Sequence, residues 1–288
     1  MLLHLHRPGP PLDGFVELVT YFRDFCPSHT KEKLLPDGAV EIIVDLTDRP
    51  KKMFDRDDLS RGRAFERAWI SGMRREWIVI EAQRGAAMVV IRFRPGGALP
   101  FLGFAVESIT GAVEPLDDVL GVVTASLRDR LLEARTTAGK MAAVEGWLLD
   151  RAAGRLERNP VVEFLADRLF APAGIRISNL VAEIGYSQRH VLALFRKWVG
   201  LTPKQYGRIR RFQQVLADVS HGANGPDAMA AYPSPLTRLT EPEWVDLALR
   251  HGYYDQAHLI RDFNEFAGLS PGAYVAAYRG LENYLPLD

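Results

Sequence analysis

The spacing of hydrophobic positions changes along the chain, from a period of two in the N-terminal part to steps of three and four beyond it. In residues 39–46 every second side chain is aliphatic, beginning at Val40, which is typical of a β-strand. Residues 68–82 and 87–94 also have strand character, and the second run is followed by a Pro-Gly-Gly turn. These patterns predict an N-terminal β domain over residues 1–115.

Helical periodicity begins after this β domain. Apolar residues at three- and four-residue steps predict amphipathic helices in a linker over residues 116–158, where they serve either dimer packing or an intramolecular core. Residues 159–280 are predicted to form an all-α domain, interrupted by a Gly- and Pro-rich loop at 222–242. Residues 281–288 are assigned to a tail. The expected fold class is therefore α+β.

An internal repeat divides the helical domain into two similar units, 176–206 and 243–274. The segments in register are Gly185-Tyr186 with Gly252-Tyr253, Phe195 with Phe263, Gly200-Leu201-Thr202-Pro203 with Gly268-Leu269-Ser270-Pro271, and Tyr206 with Tyr274. Each unit predicts two helices joined by a tight turn, because a glycine ends the first helix and a capping residue starts the second. Such a pair is a helix-turn-helix unit, whose second helix, the recognition helix, enters the major groove of DNA.

The second helix of each unit is predicted at 188–199 and 256–267, with Ser187 and Asp255 as the N-caps. An apolar stripe turns one face of each helix inward. The opposite faces present Gln188, Arg189, Leu192, Ala193 and Arg196 in the first unit, and Gln256, Ala257, Ile260, Arg261 and Asn264 in the second. Arginine and glutamine suit bidentate binding of guanine and adenine, respectively.

These repeated motifs resemble the DNA-binding domain of the AraC/XylS family of bacterial transcription regulators. The resemblance covers roughly residues 160–280 and rests on the repeated segments together with Phe195-Arg196-Lys197 and the run from Gly252 to Phe263. It implies sequence-specific DNA binding, with a connecting helix over 205–219. By this resemblance the base-reading residues are Arg189, Leu192 and Ala193 in the first unit, and Gln256, Ala257, Ile260 and Arg261 in the second; the exposed face of the first helix adds Gln188.

The N-terminal domain resembles a β domain found ahead of some members of that family. Three segments carry the likeness: Leu35-Pro36-Asp37-Gly38, Val90-Ile91-Arg92-Phe93-Arg94-Pro95-Gly96-Gly97 and Pro100-Phe101-Leu102-Gly103. A cupin-like or other small β architecture is expected, with a role in effector sensing or dimerisation.

Charge is unevenly distributed, although 36 basic and 36 acidic residues give a formal net charge of zero. Between Arg176 and Arg211 there are eight basic residues and one acid, Glu183. Such a basic cluster is typical of a phosphate-binding surface, or of a solvated face. The phosphate contacts predicted here are Arg196, Lys197, Lys204, Arg208, Arg210 and Arg211. From Glu241 to Gly280, six acids and three arginines oppose a polyanion, so the second unit is expected to bind DNA weakly.

Arg92 and Arg94 are candidates for effector binding, because they lie two residues apart and would share one face of a strand. Ion pairing on the surface or between domains is the alternative. No metal or cofactor site is expected: the histidines at matched positions, His190 and His258, suit packing, and the single cysteine, Cys26, suits a small apolar filler.

The expected partners are double-stranded DNA, a small-molecule effector, RNA polymerase and a second copy of the chain. No apolar run approaches the ~20 residues that span a bilayer, and no secretory signal is evident, so a cytoplasmic location is expected. Two other functions stay open: a protein-interaction module with degenerate recognition helices, and an enzyme built on the β domain. No catalytic motif supports the enzyme.

Overall fold

The computed structural model describes residues 1–121, 125–152, 154–170, 177–221 and 241–287. Its strands are β1 Leu2–His6, β2 Val16–Phe25, β3 Lys31–Leu34, β4 Glu41–Asp45, β5 Lys51–Phe54, β6 Gly62–Phe65, β7 Ala68–Ser71, β8 Ile78–Glu81, β9 Ala86–Phe93, β10 Val113–Pro115 and β11 Tyr284–Pro286. Its helices are α1 Leu99–Leu102, α2 Leu116–Leu120, α3 Ala125–Glu133, α4 Thr137–Ala152, α5 Pro160–Phe170, α6 Ile177–Ile184, α7 Gln188–Val199, α8 Pro203–His221, α9 Glu241–Arg250, α10 Gln256–Ala267 and α11 Pro271–Ala277, with a 3₁₀ turn at Val106–Ile109.

The strands form two antiparallel sheets. The first has the order β1-β2-β9-β4-β7-β10, and the second has the order β11-β3-β8-β5-β6. In β9, Val89, Ile91 and Phe93 are buried while the side chains between them are half-buried, so alternation of side chains places one face of the strand in the core. The α+β fold class is thereby confirmed.

The predicted strands are largely confirmed, at β4 and β9, but the run 68–82 contains two strands instead of one. The chain leaves the first sheet at Gly72, where a Cβ atom would lie 1.8 Å from the backbone oxygen of Ile109, and it re-enters the second sheet at β8. Strand β2 was not predicted, because its register is irregular between Val16 and Leu18 and between Phe22 and Phe25, and such irregularities interrupt a simple alternation of side chains. Cys26, expected to be buried, is exposed.

The helices α2 to α4 occupy the predicted linker and direct their apolar stripe into the chain itself. Leu127, Leu131, Val144 and Leu148 are completely buried and belong to a hydrophobic core that continues into both the sheets and the helical region. In the described structure this stripe therefore serves an intramolecular core. Of the predicted loop at 222–242, residues 222–240 lie outside the described residues, and α9 begins at Glu241.

The C-terminal residues, expected to be a tail, form an edge strand of the N-terminal region. β11 pairs with β3 in antiparallel register. The pairing is extended by one hydrogen bond, in which the N–H of Leu35, directly after β3, donates over 2.9 Å to the oxygen of Asn283, directly before β11. Leu285, at the centre of β11, is only 1% exposed. The last strand thus ties the end of the helical region to the second sheet.

Candidate nucleic-acid interface

The first helix-turn-helix unit consists of α6 and α7. Gly185 ends the first helix with a φ of 76°, a backbone conformation that glycine adopts without strain. The Ser187 side chain then accepts a hydrogen bond from the His190 N–H, 3.2 Å away, and so caps α7. At the other end Gly200, with a φ of 91°, donates its N–H to the Arg196 oxygen over 2.8 Å. The helix therefore has the predicted bounds, 188–199.

The second unit, α9 and α10, repeats this geometry. Gly252 has a φ of 72° after α9, and the Asp255 carboxylate accepts from the His258 N–H over 2.7 Å. Gly268, with a φ of 61°, ends α10 by donating to the Asn264 oxygen. Helix α10 also has the predicted bounds, 256–267. The sequence repeat is thus a structural repeat, with matched caps at both ends of each recognition helix.

Buried aromatic side chains hold each recognition helix from its inner face. Phe195 lies 5.6 Å from the ring of Tyr206, and Phe263 lies 5.8 Å from the ring of Tyr274, both completely or nearly completely buried. His190 and His258 each pack against a tyrosine ring, at 5.0 and 5.1 Å. The outward faces are consequently the ones that solvent, or a ligand, can reach.

The predicted base-reading residues lie on those outward faces. Both arginines, Arg189 and Arg261, are exposed near the N-terminal half of their helices. The remaining positions divide into exposed side chains and half-buried ones at the edge of the apolar stripe: Gln188, Ala193 and Ala257 are exposed, and Leu192, Gln256 and Ile260 are half-buried.

The six residues predicted to contact phosphate fall into two groups. Arg196, Lys197 and Lys204 are exposed at the end of α7 and the beginning of α8. The other three lie along α8, are half-buried, and have partners within the protein: Arg208, Arg210 and Arg211.

Arg208 joins the connecting helix α8 to the second recognition helix. Its guanidinium group lies 2.7 Å from the Asp262 carboxylate and 2.6 Å from that of Glu265, and it stacks over the ring of Phe266. Arg208 donates hydrogen bonds to the carboxylates of Glu265 and Asp262, and these bonds raise the pKa of Arg208 above its ordinary range. Two of the acids that give the second unit its negative charge thus share one arginine of α8, and this pairing joins residues too far apart in the chain to be seen in the sequence.

Arg211 and Arg210 also hold α8 in place. The Arg211 guanidinium donates to the Gly252 oxygen over 3.0 Å and lies over the Tyr253 ring, so it supports the turn of the second unit. Arg210 reaches the backbone oxygen of Asp37 in the β region, 3.4 Å away. These arginines contribute to orientation of the two units rather than to an open cationic surface.

The two effector candidates, Arg92 and Arg94, each bind other groups of the protein. Arg94 lies just beyond the end of β9, is exposed, and donates to the backbone oxygen of Asp13 over 2.7 Å. Arg92 is surrounded by carboxylates: it pairs with Glu17 at 3.2 Å, with Glu41 at 2.8 Å and with Asp37. The structure therefore favours the alternative role for Arg92, an ion pair inside the protein.

The pKa values of Asp37 and Glu41, two carboxylates of this ion cluster, shift in opposite directions. Burial would raise the pKa of Asp37, but the positive charges of Arg92 and Arg74 outweigh burial and hold that pKa below its ordinary value. Burial and the neighbouring charge of Asp37 raise the pKa of Glu41. Asp37 is consequently the ionised centre of the cluster, and it joins the two N-terminal motifs, Leu35 to Gly38 and Val90 to Gly97.

Direct contacts fix both helix-turn-helix units against the β region. The Thr110 hydroxyl donates to the Gly200 oxygen over 2.6 Å, at the end of the first recognition helix. The buried Lys33 ammonium donates to the Ala267 oxygen over 2.8 Å, at the end of the second, and lies 4.0 Å from the centre of the Trp77 ring. Burial lowers the pKa of Lys33. Sequence reasoning missed these contacts, because each joins residues far apart in the chain.

A polar cleft of about 320 Å³ opens beside the first recognition helix. It is lined from the β region by Arg75 and Glu107, and from the helical region by Arg196, Gly200, Thr202 and Gln205. No group of three metal-binding side chains occurs among the described residues, and no helix in those ranges is long and apolar enough to cross a membrane.

Comparison with known proteins gives separate matches for parts of the chain. Residues 4–115, which run from β1 to β10, match the family described as Domain of unknown function (DUF6597). An HTH-type transcriptional activator, AarP of Providencia stuartii, is 22% identical over 114 residues, covering 40% of this chain and 71% of that protein. This similarity supports the resemblance to AraC/XylS-type regulators.

Among solved structures, ToxT from Vibrio cholerae O395 aligns with 91% of this chain and 98% of its own, at 9% identity and a TM-score of 0.45. A structure of unsaturated fatty acid bound wild-type ToxT from strain SCE256 aligns with 91% of this chain and 95% of its own, at 9% identity and a TM-score of 0.44.

Proposed function

We propose, on the premise that this chain is a regulator of the AraC/XylS type, that it binds specific DNA sequences through α7 and α10 and thereby regulates transcription. The observation that carries the proposal is the structural repeat. Two helices of equal length have matched caps, are fixed by matched aromatic residues, and each exposes an arginine, Arg189 or Arg261, on the outward face.

The two units are proposed to contribute unequally. Arg196, Lys197 and Lys204 provide the exposed positive charge beside the first recognition helix, and phosphates are their natural ligands. The second unit has Arg261 for guanine and Gln256 for adenine, while Arg208 pairs with two of its acids and offsets part of their negative charge. Affinity then comes mainly from the first unit, and both units read sequence.

The β region is proposed to be the regulatory part, through effector binding or dimerisation. Its hydrogen bonds to Gly200 and Ala267 support this role, because a change in the β region would be transmitted to the ends of both recognition helices. A homodimer and a contact with RNA polymerase are part of the same expectation. Light scattering on the purified chain tests the homodimer directly.

The test of DNA binding begins with selection of duplexes from a random pool, followed by mobility shift on the enriched sequence at several salt concentrations. We expect Arg261→Ala and Arg189→Ala each to relax preference at different base pairs, by about 1–3 kcal/mol at the pair affected. Lys197→Ala should weaken binding to all sequences alike. Arg135→Ala, an exposed arginine between α3 and α4, is the matched control. If the wild-type chain enriches no sequence at any salt concentration, the proposal fails.

A protein-interaction module with degenerate recognition helices is the second candidate. Burial of either recognition helix would favour this candidate, whereas in the described structure Arg189 and Arg261 are exposed. The curated relative is a transcriptional activator, which likewise supports regulation over enzymatic activity.

A further inference from the structure

Two arginines from different parts of the protein line the cleft beside α7. Arg75 follows β7 in the β region, and Arg196 lies near the end of the first recognition helix. Both side chains are exposed, and neither has an ion-pair or hydrogen-bond partner in the part of the chain that the structure describes. Since like charges repel, two unpaired cations in one cleft favour an anion between them.

Arg75 differs from its neighbour Arg74, which belongs to the buried ion cluster around Asp37. Arg74 is 4% exposed, lies 3.5 Å from the Asp37 carboxylate and donates to the Leu35 oxygen, so it is part of the buried ion cluster. Arg75 is exposed and lines the cleft instead. One carboxylate, Glu107, also lines the cleft and would partly oppose an anion there.

The two polar side chains that line the cleft at the beginning of α8, Thr202 and Gln205, do not compete for this anion. Thr202 and Gln205 satisfy each other reciprocally: the Gln205 side chain accepts from the Thr202 N–H over 3.1 Å, and the Thr202 hydroxyl accepts from the Gln205 N–H over 3.2 Å. The two arginines are therefore the main anion-binding groups that the cleft offers.

The position of Arg196 on α7 relates the cleft to DNA. Arg196 follows Arg189 by seven residues, two turns along the same outward face, which corresponds to about 10.5 Å of helix. The major groove is about 12 Å wide. When Arg189 reaches a base edge within the groove, the Arg196 end of the helix consequently lies at the backbone that borders it.

Close packing holds the β region against this end of the helix, next to the cleft that Arg75 lines. The Thr110 hydroxyl donates to the Gly200 oxygen over 2.6 Å, and a Cβ atom at Gly200 would lie 2.8 Å from that hydroxyl and 3.2 Å from a Val106 methyl group. The 3₁₀ turn that carries Glu107 thus contacts the end of α7 with no intervening space. A phosphate bound by Arg196 would also lie within the cleft that Arg75 lines.

We propose that Arg75 binds the DNA backbone together with Arg196, so that the N-terminal β region forms part of the DNA-binding surface. This inference rests on the proposed function, and it assigns to the β region a direct contact with a DNA phosphate. The chemistry is a charge-assisted hydrogen bond from guanidinium to phosphate, independent of base sequence.

The test compares dissociation constants of the full chain and its variants on the selected duplex at 50, 100 and 200 mM salt. Loss of one phosphate contact lowers the salt slope by about 0.9, so the fourfold salt increase should weaken Arg75→Ala about 3.5-fold less than wild type. At 50 mM salt Arg75→Ala should bind more weakly than wild type to every sequence, with unchanged base preference. Arg75→Lys should restore the salt slope, and Glu107→Gln should bind more tightly than wild type.

Arg84→Ala, an exposed arginine in the turn between β8 and β9, is the matched control and should leave affinity and slope unchanged. If wild type selects a sequence but Arg75→Ala keeps its affinity and slope, this inference is wrong while the proposed function stands. If Arg75→Ala instead abolishes calorimetric binding of inorganic phosphate and leaves DNA binding intact, the cleft is a small-anion site and the inference is overturned. If the wild-type chain enriches no DNA sequence, that result contradicts both the proposed function and this inference.

Discussion

Replacement of Asp37 by asparagine tests whether the buried ion cluster holds the β region together. The substitution preserves shape but removes the charge that faces Arg92 and Arg74. Asp37 and Arg74 are each 4% exposed, so water cannot readily replace the lost partner. Loss of one member of a buried ion pair typically costs roughly 3–5 kcal/mol, and we expect Asp37→Asn to fall in that range.

Glu41→Gln is the matched control, because this carboxylate also pairs with Arg92 at 2.8 Å. Burial and the charge of Asp37 raise the pKa of Glu41, so its ionised form is disfavoured in the folded protein. A neutral glutamine keeps an oxygen that accepts from Arg92 and removes the repulsion from Asp37. We therefore expect Glu41→Gln to cost about 1 kcal/mol or less.

Urea unfolding, followed by tryptophan fluorescence, measures the free energy of unfolding of wild type, Asp37→Asn and Glu41→Gln. With a denaturant slope of about 3 kcal/mol/M, a loss of about 3 kcal/mol shifts the midpoint by about 1 M urea. The pKa of Asp37 is lowered in the folded state, so its stabilisation is present above the unfolded pKa of about 3.9 and is lost as the pH falls below it. The gap between wild type and Asp37→Asn should consequently be constant from pH 6 to 8 and shrink below about pH 4. Equal midpoints for the two variants would refute this reasoning.

Three further predictions concern the caps and the contacts between regions. Asp255→Ala should lose about 1 kcal/mol of stability because its side chain caps α10, whereas Asp255→Asn should keep the cap; equal urea midpoints would contradict this. Gly268→Ala should destabilise by more than 1 kcal/mol, since a Cβ there would lie 2.7 Å from the Trp77 ring at a φ of 61°; adding Trp77→Phe should recover part of the loss, and no recovery would exclude the steric cause. Leu285→Ala should cost about 2–5 kcal/mol in thermal or urea unfolding, while Leu287→Ala, 39% exposed, should change little; similar losses would argue against the packed β11 strand.

The sequence by itself determined the features that depend on residues close together in the chain. The bounds of α7 and α10 follow from Ser187, Asp255, Gly200 and Gly268, because caps and left-handed turns are set by neighbouring residues. The inward aromatic stripe and the exposed outward face follow from the helical period in the same way. The α+β fold class and the central strands β4 and β9 were predictable for the same reason.

Only the tertiary structure decided which charges are available to a ligand. Arg208 and Arg196 look equivalent in the sequence, yet Arg208 is paired with Asp262 and Glu265 while Arg196 lines an open cleft with Arg75. Pairing depends on which helices and sheets meet, and these contacts join residues 54 to 57 positions apart within the helical region and still farther apart between regions. The C-terminal strand is a similar case, since the partner of β11 is β3, at the other end of the chain. Short-range patterns fix helices and caps, whereas long-range packing fixes ion-pair partners, exposure and the surface proposed to bind DNA.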